Sequence, residues 1–311
     1  MPKTIHNVPT NIISGFLGVG KTTAILNLFA NKPATKKWAV LVNEFGKVGI
    51  DGRVYKANGI EVKEIPGGCM CCAQGLPLQV AVNRLLRETE PDRLIIESSG
   101  VGHPAGVLKT LKGDGFNEVL SLKAGICLLD ARHLLEAKYQ NNELFKEQLQ
   151  HSDVLIANKA DLAPAEALQA FFSLAESFSP AKEFVATCTN GRFDIALLDY
   201  SHIAYSQQTA FKLQPVVKSH TRALKTHSFI FPADTLFDLG ALKQWLSSMN
   251  FIRLKGLIQT TDGCYLLNHT NGTVDVSKID NQTDNHIEVI NYSLDIVDLE
   301  QKLNKFVIDR G

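Results

Sequence analysis

Short, nearly continuous apolar segments alternate with helical patterns over the first two thirds of the chain. Strands that are buried on both faces, as in parallel sheets, have such continuous apolar runs. The runs that predict strands are VPTNIIS, KWAVLVN, DRLIIE, AGICLLDA, DVLIANK and EFVATC. Helical stretches lie between them, among them TTAILNLFAN, LPLQVAVNRLLRETE and PAEALQAFFSLAESF. This alternation predicts an α/β fold with a doubly wound, mostly parallel sheet.

The pattern changes near residue 200. Residues 201–222 are polar, have no clear period and predict a linker. Residues 223–311 contain several short strand patterns, two helical stretches, and an Asp-Gly and an Asn-Gly turn signal, which predict a meander of antiparallel strands. We therefore expect an α/β domain over residues 1–200 and a smaller α+β domain after the linker. Arg253 and Lys255 alternate along one predicted strand and indicate a solvated face.

The composition is that of an ordinary globular protein. The chain has 311 residues, of which 45% are hydrophobic and 21% charged, and its formal net charge is zero. These values argue against a disordered chain or a coiled coil, and they remove the global electrostatic argument for nucleic-acid or membrane partners. No run of about 18 apolar residues predicts a membrane span, and the N-terminus lacks the apolar core of a signal peptide. We expect a cytoplasmic protein.

A phosphate-binding loop follows the first predicted strand. The segment GFLGVGKT over residues 15–22 matches G-x-x-x-x-G-K-[ST], with a strand before it and a helix after it. Glycines let backbone N–H groups surround phosphates at a helix N-terminus, the lysine reaches the β- and γ-phosphates, and the threonine hydroxyl binds Mg²⁺. The residues predicted to bind nucleotide here are Gly15, Gly18, Val19, Gly20, Lys21, Thr22 and Thr23.

A second motif indicates which base is bound. Asn158-Lys159-Ala160-Asp161 follows a predicted strand, at the sheet edge where doubly wound folds bind ligands. The Asp161 carboxylate can accept both N–H donors of guanine, a pair that adenine does not present. Asn158 can donate to the guanine carbonyl or brace the loop, and Lys159 can lie over the ring. Together with the phosphate loop, this motif predicts GTP. The later loop Thr187–Asn190 is a weaker candidate for base contact.

A carboxylate ends the strand DRLIIE. In phosphate-loop enzymes an acidic residue at this position helps to hold Mg²⁺, and we assign that role to Glu97. Gly100 lies three residues further on and would let a backbone amide approach the γ-phosphate. The predicted catalytic residues are thus Lys21, Thr22 and Glu97, and the predicted magnesium ligands are Thr22 and Glu97. The alternative is a glutamate that simply faces solvent.

Three cysteines lie within four residues. Cys69, Cys71 and Cys72 occupy a glycine turn, a spacing that suits a soft or borderline metal such as Zn²⁺ in a reducing compartment. Three sulfurs leave a tetrahedral site one ligand short, and Glu44, water or a partner could complete it. Because the cluster lies between the phosphate loop and Glu97, nucleotide state and metal binding are expected to be coupled. A redox pair and inert burial are the alternatives.

The combined motifs resemble those of the CobW/YjiA family of metal-associated GTPases. The resemblance covers nearly the whole chain and includes GFLGVGKTT, NEFG with a following GID, GGCMCC, ESSG, NKAD and FIRLKGLI. It implies a slow GTPase that binds zinc, or in some members cobalt or another transition metal, and delivers it to client proteins. Lys21 and Thr22 would serve phosphate and magnesium, Asn158 and Asp161 guanine, and the three cysteines with Glu44 the transferred metal.

Two features depart from the family pattern. His103 precedes a proline where the family often has a small or acidic residue, so it is either an added ligand or polar surface. The nine histidines are scattered rather than gathered in a metal-buffering stretch. Alternatives to metal delivery are a metal-responsive switch that engages a partner without transferring metal, and a nickel-enzyme maturation GTPase. The expected partners are GTP, a transition metal and an unidentified client, with no nucleic acid or membrane; a homodimer is left open.

Overall fold

The chain folds into two compact units in the computed structural model. The structure describes residues 5–42, 50–64, 75–203, 225–249, 251, 253–270, 273–279, 285–291 and 295–308. The first unit consists of Met1–Phe45 and Asn58–Thr221, and the second consists of Gly46–Ala57 and Arg222–Gly311. One short segment between two strands of the first unit therefore belongs to the second.

The first unit is a parallel sheet with helices, as the alternating pattern predicts. Its strands are β1 (Val8–Ser14), β2 (Trp38–Val42), β3 (Glu61–Glu64), β4 (Arg93–Glu97), β5 (Leu120–Leu122), β6 (Ile126–Asp130), β7 (Val154–Asn158) and β8 (Phe184–Thr187). Helix α2 (Ile50–Ala57) belongs to the second unit; the helices of the first are α1 (Lys21–Asn31), α3 (Leu76–Thr89), α4 (Pro104–Leu111), α5 (Ala137–Gln140), α6 (Glu143–Gln150) and α7 (Ala165–Glu176).

The strand order places β1 in the middle of this sheet. The order is β3-β2-β4-β1-β6-β7-β8, with β5 also paired to β1, and every pairing is parallel. Strands β2, β4, β6 and β7 are buried along their full length, which explains their continuous apolar sequence. Because the strands are parallel, the loops after β1, β4 and β7 leave from the same edge, where such folds bind ligands.

Helices α3 and α4 supply the apolar side chains that cover one face of the sheet. Leu78, Val82 and Leu85 of α3 and Val107 and Leu111 of α4 are buried in one cluster with residues of β1, β2 and β4. On α1, Ala24, Ile25 and Leu28 are buried. Cys127 of β6 is only 1% exposed, as expected for a small core residue, and burial raises the pKa of its thiol to about 11. This core fixes the strand ends that carry the site.

The second unit is a five-stranded antiparallel sheet with helices. Its strands are β9 (Lys225–Phe231), β10 (Arg253–Thr260), β11 (Gly263–Thr270), β12 (Thr273–Ile279) and β13 (Asn285–Asn291), and its further helices are α8 (Leu239–Ser248) and α9 (Ile296–Asn304). Strands β10, β11 and β12 form the predicted meander, and β13 lies between β10 and β9. Leu242 and Leu246 of α8 and Leu299 and Leu303 of α9 pack with one face of this sheet.

Helix α2 packs against β10, and this overturns the expectation of a solvated face at Arg253 and Lys255. The Asp51 carboxylate forms an ion pair with the Lys255 ammonium, and Arg253 Nη2 lies 3.8 Å from Asp51 Oδ2. Lys255 is only 5% exposed, and its cross-strand neighbour Glu288 is also buried. Burial raises the pKa of Glu288, although Arg253 and Lys255 act to lower it. The alternating positive charges of β10 thus face α2, whose Asp51 carboxylate pairs with them.

Among the described residues, the helices are too short or too polar for any of them to cross a lipid bilayer.

Candidate functional site

The glycines of the phosphate loop are required by close packing. The loop runs from Gly15 to Gly20, between β1 and α1, and its backbone has positive φ at Gly15, Gly18 and Gly20. A Cβ at Gly15 would collide with the carbonyl oxygen of Leu128, and one at Gly20 would lie 2.5 Å from Asn158 Nδ2. Helix α1 begins directly after the loop without a side-chain cap at Gly20. Its N-terminus, the positive end of the helix dipole, is therefore available to an anion.

Lys21 is folded over this loop. Its side chain is buried, and its Nζ donates to the carbonyl oxygens of Gly15 at 2.8 Å and Phe16 at 3.1 Å. These contacts hold a positive charge beside the loop, where the N–H groups of α1 begin. A phosphate bound in the loop would meet both the ammonium and the helix N-terminus.

Thr22 and Glu97 meet although they are 75 residues apart in sequence. The Thr22 hydroxyl donates to Glu97 Oε1 at 3.2 Å. Glu97 ends β4 and is 3% exposed, so the alternative of a glutamate that faces solvent is wrong. A hydroxyl and a carboxylate are hard oxygen ligands of the kind that Mg²⁺ prefers. This pair fits a magnesium site beside the phosphate loop.

The loop after β4 lies against the phosphate loop. A Cβ on Gly100 would lie 2.5 Å from Leu17 Cδ2, 3.0 Å from Leu17 N and 3.1 Å from Leu17 Cα. Gly100 is buried, and a residue with a side chain would force the two loops apart. The predicted γ-phosphate contact therefore sits directly beside the predicted phosphate cradle.

Asn158 braces two loops, which is one of the two roles that the sequence leaves open. Its Nδ2 donates to the Val19 carbonyl oxygen at 2.8 Å, and its Oδ1 accepts from Gly191 N at 2.9 Å and from Cys188 Sγ at 3.3 Å. Asn158 therefore ties the phosphate loop to the loop after β8. Asp161, in the short 3-10 helix Ala160–Leu162, is exposed and offers its carboxylate to a base. Lys159 adopts positive φ at the same turn.

The loop after β8 packs on α1. A Cβ on Gly191 would lie 2.7 Å from both Cα and N of Ala24, and Asn27 Nδ2 donates to the Asn190 carbonyl oxygen at 2.7 Å. Burial raises the pKa of the Cys188 thiol to about 11, although the backbone amide of Gly191 acts to lower it. Cys188 is buried and packs beside the candidate nucleotide site.

Two charged groups at the end of β6 were not among the predicted site residues. Asp130 is buried, and it accepts from Arg132 Nε at 2.8 Å and from Arg132 Nη2 at 2.6 Å. Burial alone would raise the pKa of Asp130, but the hydrogen bonds from Arg132 bring it below its ordinary value. His133 stacks on Tyr139 with ring centroids 3.8 Å apart. An aspartate at the end of an apolar run, ICLLDA, was the available signal.

The predicted transition-metal ligands lie outside the described residues. These are Cys69, Cys71, Cys72 and Glu44. Within the described ranges, the structure contains no group of three histidine, cysteine or acidic side chains that could hold a metal ion. His103 is described: its Nδ1 lies 2.5 Å from Glu147 Oε2, and its side chain is 45% exposed. The structure thus brings together the nucleotide residues and pairs His103 with a carboxylate.

Comparison with known proteins agrees with this geometry. A model of the CobW/HypB/UreG nucleotide-binding domain matches residues 9–186, and a model of the cobalamin synthesis protein cobW C-terminal domain matches residues 226–307. The chain is 39% identical over 280 residues to the zinc chaperone YeiR of Escherichia coli (strain K12), which covers 83% of this chain and 85% of that protein.

More distant relatives have similar names. The chain is 29% identical over 219 residues to the zinc chaperone CobW of Sinorhizobium sp, covering 61% of this chain and 62% of that protein. Among solved structures, the Zn(II)-bound YjiA GTPase from E. coli aligns over 97% of this chain and 99% of its own, with a TM-score of 0.48 and 19% identity. The two family models together span both structural units, and the chain belongs to the CobW family of P-loop GTPases.

Proposed function

We propose that this chain hydrolyses GTP and couples that reaction to binding zinc and delivering it to a client metalloprotein. One observation carries the proposal: Lys21, Thr22 and Glu97 meet at one edge of the sheet, and the three-cysteine segment lies between the last two of them in the chain. The relatives named zinc chaperones support zinc as the metal. Cobalt remains the alternative cargo that the family resemblance implies.

The hydrolytic step would depend on positioning and charge. Lys21 holds its ammonium beside the loop that receives the β- and γ-phosphates, and the N-terminus of α1 adds oriented N–H groups. Thr22 and Glu97 would hold magnesium, which neutralises charge on the phosphate oxygens when it is bound. Gly100 brings a backbone amide against the phosphate loop, and Asp161 selects guanine. Intrinsic turnover is expected to be slow, as the family resemblance implies.

Zinc would be the transferred substrate of the cycle. Cys69, Cys71 and Cys72 as thiolates would supply three ligands, and Glu44 or a partner the fourth. GTP would favour the binding arrangement, and hydrolysis would lower zinc affinity so that the metal passes to the client. By linkage, zinc must then tighten GTP binding by the same factor by which GTP tightens zinc binding.

Zinc release during a single turnover tests this proposal. Protein loaded with zinc and GTP would be mixed with a fluorescent zinc chelator that stands in for the acceptor. We expect release at the rate of GTP hydrolysis, and release slower by about tenfold or more with GTPγS. The variant Lys21→Ala, in which the cysteines are intact, should release zinc at one rate that no longer depends on which of the two nucleotides is present.

Two other outcomes would favour different functions. Equal release rates with GTP and GTPγS would contradict delivery and favour a metal-responsive switch. Hydrolysis stimulated by nickel but not by zinc would favour a maturation GTPase, although the match to the cobW C-terminal domain argues against that function.

The remaining assignments complete the proposal. We assign nucleotide and metal chemistry to residues 1–200, the linker to 201–222 and client recognition to 223–311, with α2 contributed to the second unit. A cytoplasmic location fits a site that needs reduced cysteines. A homodimer is open to a direct test by light scattering with GDP and with GTPγS.

A further inference from the structure

Helix α6 holds the turn that carries Gly100. Gln148 of α6 is 1% exposed, and its Nε2 donates to the carbonyl oxygens of Gly100 and Gly102, each at 3.2 Å. These two carbonyls belong to the loop that leaves β4 after Glu97. The buried Gln148 side chain therefore holds the loop after β4, which borders the candidate nucleotide site, by two hydrogen bonds.

The turn itself connects these carbonyls to the peptide that faces the phosphate loop. The Gly102 N–H donates to the Ser99 carbonyl oxygen at 2.9 Å. That carbonyl shares a peptide plane with the Gly100 N–H, because the six atoms of a peptide unit are coplanar. Gln148 thus fixes Gly102 through its carbonyl, and Gly102 fixes the plane that carries the Gly100 N–H.

Only a donor fits the position of the Gln148 amide nitrogen. Two carbonyl oxygens converge on Nε2, and Oε1 has no hydrogen-bond partner among the described residues. Turning the amide over would place an acceptor against two acceptors. The next residue towards the N-terminus, Glu147, holds the end of the same loop through His103 at 2.5 Å. Consecutive residues of one helix thus hold both ends of the turn.

We propose that Gln148 is a positioning residue for GTP hydrolysis. It does not touch the nucleotide; it holds the Gly100 turn in the geometry that meets the γ-phosphate. This inference rests on the proposed nucleotide site, in which Gly100 approaches the γ-phosphate. Loss of Gln148 should therefore lower kcat and the affinity for GTP. GDP affinity should be unchanged, because GDP lacks the γ-phosphate.

The test compares Gln148→Met and Gln148→Glu with the full-length wild type. Methionine keeps the length and removes the donor, whereas glutamate is nearly isosteric and places an acceptor against both carbonyls. We expect kcat to fall by about tenfold or more in Q148M and further in Q148E. GTPγS affinity should fall in the same order, and GDP affinity should stay within about twofold of the wild-type value.

Gln140→Met is the matched control. Gln140 Nε2 also donates to a backbone carbonyl, that of Leu134 at 2.5 Å, but this contact lies outside the Gly100 turn. Its kcat should stay near the wild-type value. A Q148M enzyme with unchanged kcat would overturn the inference, and so would equal losses of GDP and GTPγS affinity, which indicate a purely structural role.

Two further measurements distinguish a wrong role for Gln148 from a wrong nucleotide site. If Lys21→Ala keeps full activity, the proposed nucleotide site itself is wrong; if it is inactive and Q148M is fully active, only the role of Gln148 is wrong. Should Q148M not fold, the side-chain amide NMR signal of Gln148 in wild-type protein gives the answer. We expect it to shift when GTPγS replaces GDP, and an unchanged signal would overturn the inference.

Discussion

The two ends of the parallel sheet use buried polar groups in opposite ways. At the amino ends, protein donors surround a carboxylate: Asp153, fully buried, accepts from Gly125 N at 2.6 Å, Ile203 N at 2.8 Å and His202 Nδ1 at 2.9 Å. At the carboxyl ends, Lys21 and Glu97 lie beside the glycine loop that we propose to bind phosphate. The first arrangement is complete without a ligand and stabilises the fold, whereas the second is proposed to receive one.

Lys21→Ala should show the largest effect, and it tests the carboxyl end. We expect kcat/KM for GTP to fall by about 10³-fold, because a preorganised positive charge on the transferred phosphate is lost. The free energy of unfolding should change much less than the activity, since the Lys21 Nζ donates to carbonyl oxygens of the phosphate loop rather than to the apolar core. Steady-state phosphate release and urea unfolding on the same samples measure both quantities. A large loss of stability with a modest loss of activity would show that Lys21 serves the fold rather than ligand binding.

Asp153→Ala tests the amino end. Removing this carboxylate leaves the buried Gly125 N–H, the partly buried Ile203 N–H and an imidazole without this acceptor, and we expect a loss of about 3–4 kcal/mol in the free energy of unfolding. The folded fraction should keep its kcat for GTP, because the change is at the opposite edge of the sheet. Urea unfolding gives the stability, and active-site titration with a GDP analogue corrects the rate. A specific loss of kcat would break the distinction between the two ends.

The second unit also contains a buried ion pair, between Asp51 of α2 and Lys255 of β10. Asp51→Asn removes the carboxylate that is ion-paired with the buried Lys255 ammonium and should destabilise that unit by about 3 kcal/mol. The double variant Asp51→Asn/Lys255→Met should recover part of this loss, because the Lys255 charge is then gone while Arg253 still faces Glu288.

An exposed pair on the same unit is the control for Asp51. Asp298 and Lys302 form an ion pair at 2.7 Å with side chains 50% and 39% exposed. Lys302→Met should change stability by less than about 0.5 kcal/mol. Equal effects of K302M and D51N in denaturant titrations would show that burial of the Asp51 pair contributes nothing.

His133 gives a smaller effect than Asp153 or Asp51 and shows that a polar residue beside a strand end can be structural. Burial lowers its pKa from 6.5 to about 4, so the unfolded chain takes up a proton more readily than the folded one. Stability is therefore present above pH 6.5 and is lost as the pH falls towards 4. Between pH 8 and pH 5 this group should account for a loss of about 2 kcal/mol.

His133→Phe keeps a ring against Tyr139 and removes the titration. Unfolding free energies measured at several pH values should then fall less steeply on acidification than those of the wild type. Identical slopes for both proteins would show that His133 is protonated equally in the folded and unfolded states.

Most of the first unit could be predicted from its sequence because period and motif agree there. The continuous apolar runs correspond to buried parallel strands, and the spacing of GFLGVGKT identified the phosphate loop, whose three glycines have positive φ. Glu97 was predicted as a magnesium ligand because phosphate-loop enzymes place an acidic residue at the end of such a strand. In the structure its carboxylate accepts a hydrogen bond from Thr22. The meander β10–β12 was also predicted from the sequence, through short strand patterns separated by an Asp-Gly and an Asn-Gly turn signal.

The rest depends on contacts between distant residues, which a local pattern does not contain. Arg253 and Lys255 look solvated until Asp51, some two hundred residues earlier, is seen to pair with Lys255. The bracing role of Asn158 depends on the positions of Val19 and Gly191, and the motif alone left that role open. Gln148 carries no motif at all, since its importance comes from two carbonyl oxygens on another loop.

In the proposed cycle the nucleotide state controls zinc affinity, and a zinc titration against a competing chelator measures that control. Purified protein would be titrated with GTPγS, with GDP and without nucleotide, alongside Cys71→Ala. We predict zinc affinity at least about tenfold higher with GTPγS, and loss of this difference in C71A. Equal affinity in all three states would contradict the proposed delivery cycle and would indicate a GTPase whose metal site is independent of its nucleotide.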